Sequence, residues 1–277
     1  MPSRQIDEVA FRSFERARHD CLAGSYHEFF APITALAIEP LLSAAHAAPG
    51  ARLLDVACGS GVLASYAARH GMAAFGVDIA PGMIALARLL NPGMDFREGD
   101  VEALPYQDAS FDAVVCNFGL GHFPSAERAM NECTRVSRQG GHVGASWWDL
   151  PSRQRIQGLL LDALQEVGAT APPDLPAGPP IFRYSEDAEL YRLLEQAGLV
   201  SITIRQYRHT YHVDSVESLW TGSMGSLART SAIIAAQKPE IRARIRTAFD
   251  RLASTYADHH GLSIPISFKV AAGQSPS

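Results

Sequence analysis

Apolar residues recur along this chain in two rhythms. Over residues 6–21, Ile6, Val9, Ala10, Phe14, Ala17 and Cys21 fall near a 3.6-residue period, which predicts an amphipathic helix. Residues 33–47 form a second helical stretch, apolar enough to pack on a core. From residue 53 to residue 148 short apolar runs alternate with helical segments, the plan of an α/β sheet with five parallel strands. One of those helices, 125–137, has Ser125 as its N-cap and Ala129, Met130, Cys133 and Val136 on a single face. The alternation stops after Asp149. A helix over 154–167 leads into residues 171–180, which hold five prolines and so exclude a helix interior or a central strand. A helix over 185–197 ends at Gly198, and 199–213 then has the pattern of a long strand. A helical block (216–256) precedes a last strand over 264–271, with 273–277 expected as a frayed tail.

The richest stretch is Leu53-Leu54-Asp55-Val56-Ala57-Cys58-Gly59-Ser60-Gly61, an apolar run closed by a carboxylate and a glycine turn, with a helix starting at Val62. Strand, glycine turn and helix in that order make a nucleotide-binding corner. The dinucleotide fingerprint GxGxxG fails here, because its positions are filled by Ala57, Gly59 and Val62. Asp55 also opposes a pyrophosphate. At roughly 7 Å and an effective dielectric near 20, a carboxylate would cost such a ligand about 2 kcal/mol per phosphate charge. The same carboxylate favours a cation, and S-adenosylmethionine (SAM) carries an ammonium and a sulfonium with no phosphate.

At this point the chain resembles the class I SAM-dependent methyltransferases, whose first motif is [LV]LDxGxGxG. Ala57 stands here for the first glycine. Further resemblances follow in order. Phe75-Gly76-Val77-Asp78 is similar to a second strand ending in an acid, 19 residues after Gly59. Ile79-Ala80-Pro81-Gly82-Met83 resembles the turn into the next helix. Residues 98–105 (EGDVEALP) resemble GDAExLPF, residues 110–115 (SFDAVV) resemble SFDxVV, and residues 136–141 (VSRQGG) resemble RVLRPGG. The wording is closest to the ubiquinone/menaquinone-biosynthesis group, which also supplies natural-product enzymes. The resemblance implies a Rossmann-like, mostly parallel seven-stranded sheet with an antiparallel last strand and helical lid or cap segments. It implies a helical lid over 1–47, in which residues 24–30 fold over the cofactor, and a SAM-binding core over 48–150. A cap insertion with its helix (151–198) and C-terminal strands carrying a helical insertion (199–277) complete one compact domain.

The resemblance also assigns roles. Asp55, Ala57, Gly59 and Gly61 would form the cofactor turn, and Asp78 would take both ribose hydroxyls. Ile79 and Met83 would lie along the adenine side, with Asp100, Val101 and Glu102 reading the adenine edge. The backbone at Asn117 and Phe118 would face the methionine end. The product would be S-adenosylhomocysteine (SAH).

Acceptor chemistry should sit at the carboxyl ends of the strands. Asn117-Phe118-Gly119 lacks the [DN]PP[YF] pattern of enzymes that methylate exocyclic amines of DNA bases. His122 is the candidate base, since a neutral imidazole can take a hydroxyl proton near working pH. Asp149, after the fifth strand, is expected to orient it. Tyr26, Phe30, His122, Trp148, Tyr184 and Trp220 are the candidate substrate wall.

Composition narrows the partners. With 47% hydrophobic and 19% charged residues over 277, the chain can bury a core, and its net charge of −5 argues against a nucleic-acid surface. Four scattered cysteines suggest neither disulfides nor zinc, and the doublet His259-His260 has no second ligand cluster, so no metal is expected. The charged N-terminus and the absence of a run of about 18 apolar residues point to a cytoplasmic enzyme, monomer or homodimer, without a membrane partner. The leading function is methyl transfer to O or C of a small metabolite or natural product. Two alternatives stand beside it, a nicotinamide-dependent oxidoreductase and a non-methylating SAM-binding protein of the same fold.

Overall fold

The computed structural model describes residues 6–276; the first five residues of the N-terminal segment and Ser277 of the expected tail lie outside them. The chain opens with α1 (Glu8–Ser25), a π-turn (Tyr26–Phe30), α2 (Ala31–Thr34), a 3₁₀ turn (Ala35–Ala37) and α3 (Ile38–Ala44). The core follows as β1 (Arg52–Val56), α4 (Val62–Arg69), β2 (Ala73–Asp78), α5 (Pro81–Leu90), β3 (Asp95–Glu98), β4 (Phe111–Asn117), α6 (Ala126–Val136) and β5 (Ser137–Trp148). After it come α7 (Arg155–Val167), α8 (Asp187–Gln196), β6 (Val200–Val213), α9 (Val216–Met224), α10 (Ala228–Ala235), α11 (Pro239–Ser254), β7 (Ala257–Asp258) and β8 (Gly261–Gln274).

The sheet runs β3-β2-β1-β4-β5-β8-β6, with the two-residue β7 paired to β8. Strands β1 to β5 are mutually parallel, and β8 is antiparallel to both β5 and β6. This is the expected mostly parallel sheet with its antiparallel last strand. Leu53, Leu54, Val114 and Val115 are wholly buried because helices cover both faces of the central strands. Each such side chain contributes roughly 1.5–3 kcal/mol by leaving water. The chain order reverses beside β1, so β1, β2 and β4 deliver their carboxyl ends to one crevice. Ser125 caps α6 through the Arg128 N–H, and Gly168 at φ +70° ends α7 in a left-handed cap.

Three expectations change. The helices expected over 6–21 and 33–47 are not separate, because the first continues through 24–30 with one wide turn. The Ala31 N–H reaches back five residues to the Tyr26 carbonyl, and Pro32 has no N–H to continue the ordinary ladder. The buried face of α1 is also not the apolar one. Phe11, Glu15 and Ala23 point inward, while Val9 is 70% exposed and Ala17 and Cys21 face solvent. Finally, Gly273 and Gln274 belong to β8, and the Ser275 N–H donates to the Gly141 carbonyl, so most of the expected tail is tied down. None of the helices among the described residues is long and apolar enough to cross a membrane.

Candidate functional site

The glycine turn after β1 is built from left-handed residues: Ala57 at φ +55°, Gly59 at φ +53° and Gly61 at φ +79°. For Ala57 that conformation costs roughly 1 kcal/mol, and it is the position where the resembling motif has glycine. Gly61 starts α4, and a side chain there would collide with the Phe96 ring. Its role is thus backbone geometry and packing, and it does not line the cleft. The turn is pinned from the next strand. The Asp78 carboxylate accepts the Gly59 and Ala80 N–H groups at 2.9 Å each, which aims it across the turn.

These residues line a cleft of about 790 Å³ together with Val77, Ile79, Met83, Asp100, Val101, Asn117 and Phe118. Nine of the expected cofactor residues therefore meet in one place: Ala57, Gly59, Asp78, Ile79, Met83, Asp100, Val101, Asn117 and Phe118. Burial raises the Asp78 carboxyl above its ordinary range, against the two backbone donors. Asp55 lies deeper, beside Thr34, Ser60 and Asn117 in an adjoining recess. One of its oxygens accepts the Ala64 N–H at 3.1 Å and the other is buried without a partner. Burial, with the Asp78 charge adding to it, pushes this carboxyl up to about 8.

That value has a measurable consequence. Between the ordinary carboxylate range near pH 4 and about pH 8, the unfolded chain releases the Asp55 proton and the folded protein keeps it. Stability of the ligand-free protein therefore falls across that window by about 1.4 kcal/mol per pH unit from this group alone. Asp55→Asn should remove the penalty. Melting curves of variant and parent are expected to diverge from pH 5 to pH 8 in favour of the variant, and a difference independent of pH would contradict the assignment.

Glu102, expected on the adenine edge, is turned away from the cleft. Its carboxylate takes Arg12, Arg128 and the Ser125 N–H, so it anchors α1 and α6 to the core. Arg12 also pairs with Asp100 at 2.8 Å, and Arg16 with Glu98. Ion pairs thus latch α1 across the cleft as a roof.

Beyond the cleft lies a second chamber of about 620 Å³. Its walls include Phe11, Phe30, Trp147, Trp148, Ile181 and Thr230. Five residues face both spaces: Glu15, His19, Tyr26, Phe118 and His122. Phe118 adopts φ +58°, a strained conformation for an aromatic residue, of the kind that clusters at functional sites. Its ring stacks on Trp148 with centroids 3.9 Å apart, and Phe30 closes on Trp148 edge-on at 5.6 Å. Tyr184 and Trp220, expected in this wall, pack elsewhere. Tyr184 is buried beside Arg183, and Trp220 lies against Phe249.

His122 stands where the two spaces meet, but Asp149 is not its partner. The Asp149 carboxylate is wholly buried and holds the Leu150 N–H, Ser267 and Gln206. A carboxylate after β5 was needed by that strand end and by β8, which left none for the imidazole. The His122 Nδ1–H instead donates to Glu15 Oε2 at 2.9 Å, and His19 lies edge-on at 4.8 Å between ring centroids. Burial alone would raise the Glu15 carboxyl, but the charge and hydrogen bond of His122, helped by His19, hold it below its ordinary range. His19 is lowered by burial first and by the His122 charge second. Glu15, His19 and His122 bring three possible metal-ligand atoms within 4.8 Å of one another.

Comparison with known proteins completes the description. A methyltransferase-domain family matches residues 54–144. The chain is similar to the demethylmenaquinone methyltransferase of Renibacterium salmoninarum, 36% identical over 112 residues that cover 40% of this chain and 47% of that one. It is also similar to the demethylmenaquinone methyltransferase of Beutenbergia cavernae, 31% identical over 147 residues, 53% of this chain and 61% of the relative. In fold it resembles the YcgJ protein of Bacillus subtilis, with a TM-score of 0.55 at 19% identity over 87% of this chain and 98% of the other. The chain thus spans about half the length of the curated relatives it matches.

Proposed function

We propose that this chain, whose residues 54–144 match a methyltransferase-domain family and resemble demethylmenaquinone methyltransferases, transfers the SAM methyl group to an oxygen or carbon of a small molecule. The observation that carries this reading is the pair of chambers joined at Phe118 and His122. Methyl transfer is an in-line displacement in which the sulfonium is already activated, so holding donor and acceptor in contact supplies much of the acceleration. A cofactor cleft that shares five wall residues with a second, aromatic-lined chamber suits that task.

Each part of the cleft fits a piece of the cofactor. Asp78 offers a carboxylate for the ribose, Ile79 and Met83 offer apolar surface for the adenine, and the orphan oxygen of Asp55 suits an ammonium. In the second chamber, Phe30, Phe118, Trp147 and Trp148 favour a flat, largely apolar acceptor. His122, oriented through Nδ1 by Glu15, leaves Nε2 to receive a hydroxyl proton.

Calorimetry with SAH and with NAD, followed by mass spectrometry of acceptor panels of phenols, quinols and enolizable carbonyls, tests this reading. The expected results are SAH binding without NAD binding, and a 14 Da gain on one acceptor class. Absence of SAH binding would overturn it. SAH binding without methylated product across the panels would favour the non-methylating alternative.

A further inference from the structure

We propose that Glu15, His19 and His122 together bind a divalent transition-metal ion of the zinc class, at the junction of the two chambers. The inference deepens the methyl-transfer reading by naming a group that would hold the acceptor, and it rests on that reading only for the acceptor. Glu15 and His19 are four residues apart on α1 and therefore share one face of it. His122 comes from the 3₁₀ turn Leu120–His122 beyond β4, so two separate elements converge. The ligand atoms already lie within 4.8 Å of one another, with the Glu15 carboxylate only 4% exposed.

The surroundings match those of ligating histidines. The His19 Nδ1–H donates to the Glu15 backbone carbonyl at 2.9 Å, which fixes the ring and frees Nε2. Such an outer hydrogen bond is the usual partner of a metal-bound imidazole. Both imidazoles also crowd one carboxylate oxygen, His122 at 2.9 Å and His19 at 3.5 Å. Both contacts run through Nδ1, so ion binding displaces the His122 Nδ1–H from Glu15 and turns the ring lone pairs toward the carboxylate, beside the Arg229 guanidinium that lines the same chamber. Bond lengths of about 2.0–2.2 Å require the three ligands to close by roughly 1 Å. His122, 32% exposed on a short turn, has room to do so.

Two imidazoles and one carboxylate select zinc, cobalt, nickel or ferrous iron over magnesium or calcium. Three protein ligands leave a coordination position open, which is the mark of a working rather than a structural site. All three ligands line the acceptor chamber, so a molecule held there is within reach of that position. The class of ligand it fits is an oxygen acid, a phenol or an enol, whose proton would pass to solvent as the oxygen binds. With the ion in place His122 spends its lone pair on the metal, so the free-base and metal-loaded states are alternatives.

The test is metal titration of EDTA-stripped full-length protein with Zn²⁺ and Co²⁺. The expected result is one ion per chain, with Co²⁺ giving the visible bands of a four- or five-coordinate site. His19→Ala and Glu15→Gln should each weaken binding at least tenfold, and Mg²⁺ should not compete. Circular dichroism checks the fold of each variant, and His122→Asn replaces any that fails to fold. No stoichiometric binding would overturn the proposal, as would Co²⁺ bands unchanged in His19→Ala, which would locate the ion elsewhere. SAH affinity measured on the same samples separates the two ideas. Intact SAH binding without metal binding sinks the ion alone, whereas lost SAH binding in the parent protein sinks the methyltransferase reading.

Discussion

His122→Ala is expected to lower turnover by roughly 10²–10⁴-fold in the metal-stripped enzyme, once an acceptor with a weakly acidic hydroxyl or carbon is in hand. SAH affinity should stay within a few-fold, because His122 stands at the junction of the two spaces, away from the Asp78 turn that would hold the ribose. Glu15→Gln should cost less. The amide still accepts the Nδ1–H, but it no longer supplies the charge that stabilises the imidazolium formed in the transition state. Asp149→Asn is the informative contrast. Its carboxylate holds Leu150, Gln206 and Ser267, so this change should lower the melting temperature and leave turnover of the folded fraction nearly unchanged. Steady-state kinetics on all three variants decides. Normal turnover in His122→Ala would mean that proximity alone drives the reaction.

Asp78→Ala should weaken SAM and SAH binding by about 2–4 kcal/mol, which is roughly 30- to 700-fold. Two causes add. The ribose loses a charged acceptor, and the Gly59 and Ala80 N–H groups lose the carboxylate that shapes the turn. Asp78→Asn separates them, since a carboxamide oxygen can still accept one of those N–H groups. Its affinity should therefore fall between those of parent and alanine variant. Calorimetry with SAH reads both variants, and an unchanged dissociation constant in Asp78→Ala would remove this residue from the site.

The core was legible from sequence because its signals are local. Asp55, Gly59 and Asp78 sit in a strand–turn–helix–strand frame whose apolar runs and glycines admit few conformations, and the cleft assembles as that frame implies. The roof was not legible, for a physical reason. A helix that covers a polar ligand space turns polar residues inward, so the apolar period through Val9, Ala17 and Cys21 marks the solvent side. Glu15 and His19 carried a signal of their own, the four-residue spacing Phe11-Glu15-His19-Ala23, which places an acid in line with core residues. Asp149 misled because sequence proximity to a strand end says nothing of who else needs a carboxylate there. Tyr184 and Trp220 misled because an aromatic residue satisfies any apolar wall, and here each found another.

The two chambers have different origins along the chain. The cofactor cleft is written largely within residues 54–144, whereas Phe11, Glu15, His19, Tyr26 and Phe30 come before that block and Trp147, Gln157, Ile181 and Thr230 come after it. Glu15, His19 and Tyr26 serve both spaces, so under the proposed reading only the rest of the acceptor wall is free to vary apart from the cofactor cleft. Under the proposed reading, substitutions at Ile181 or Thr230, which line the second chamber alone, would reshape the acceptor wall and leave the residues of the cofactor cleft in place, so one donor half would serve unrelated acceptors.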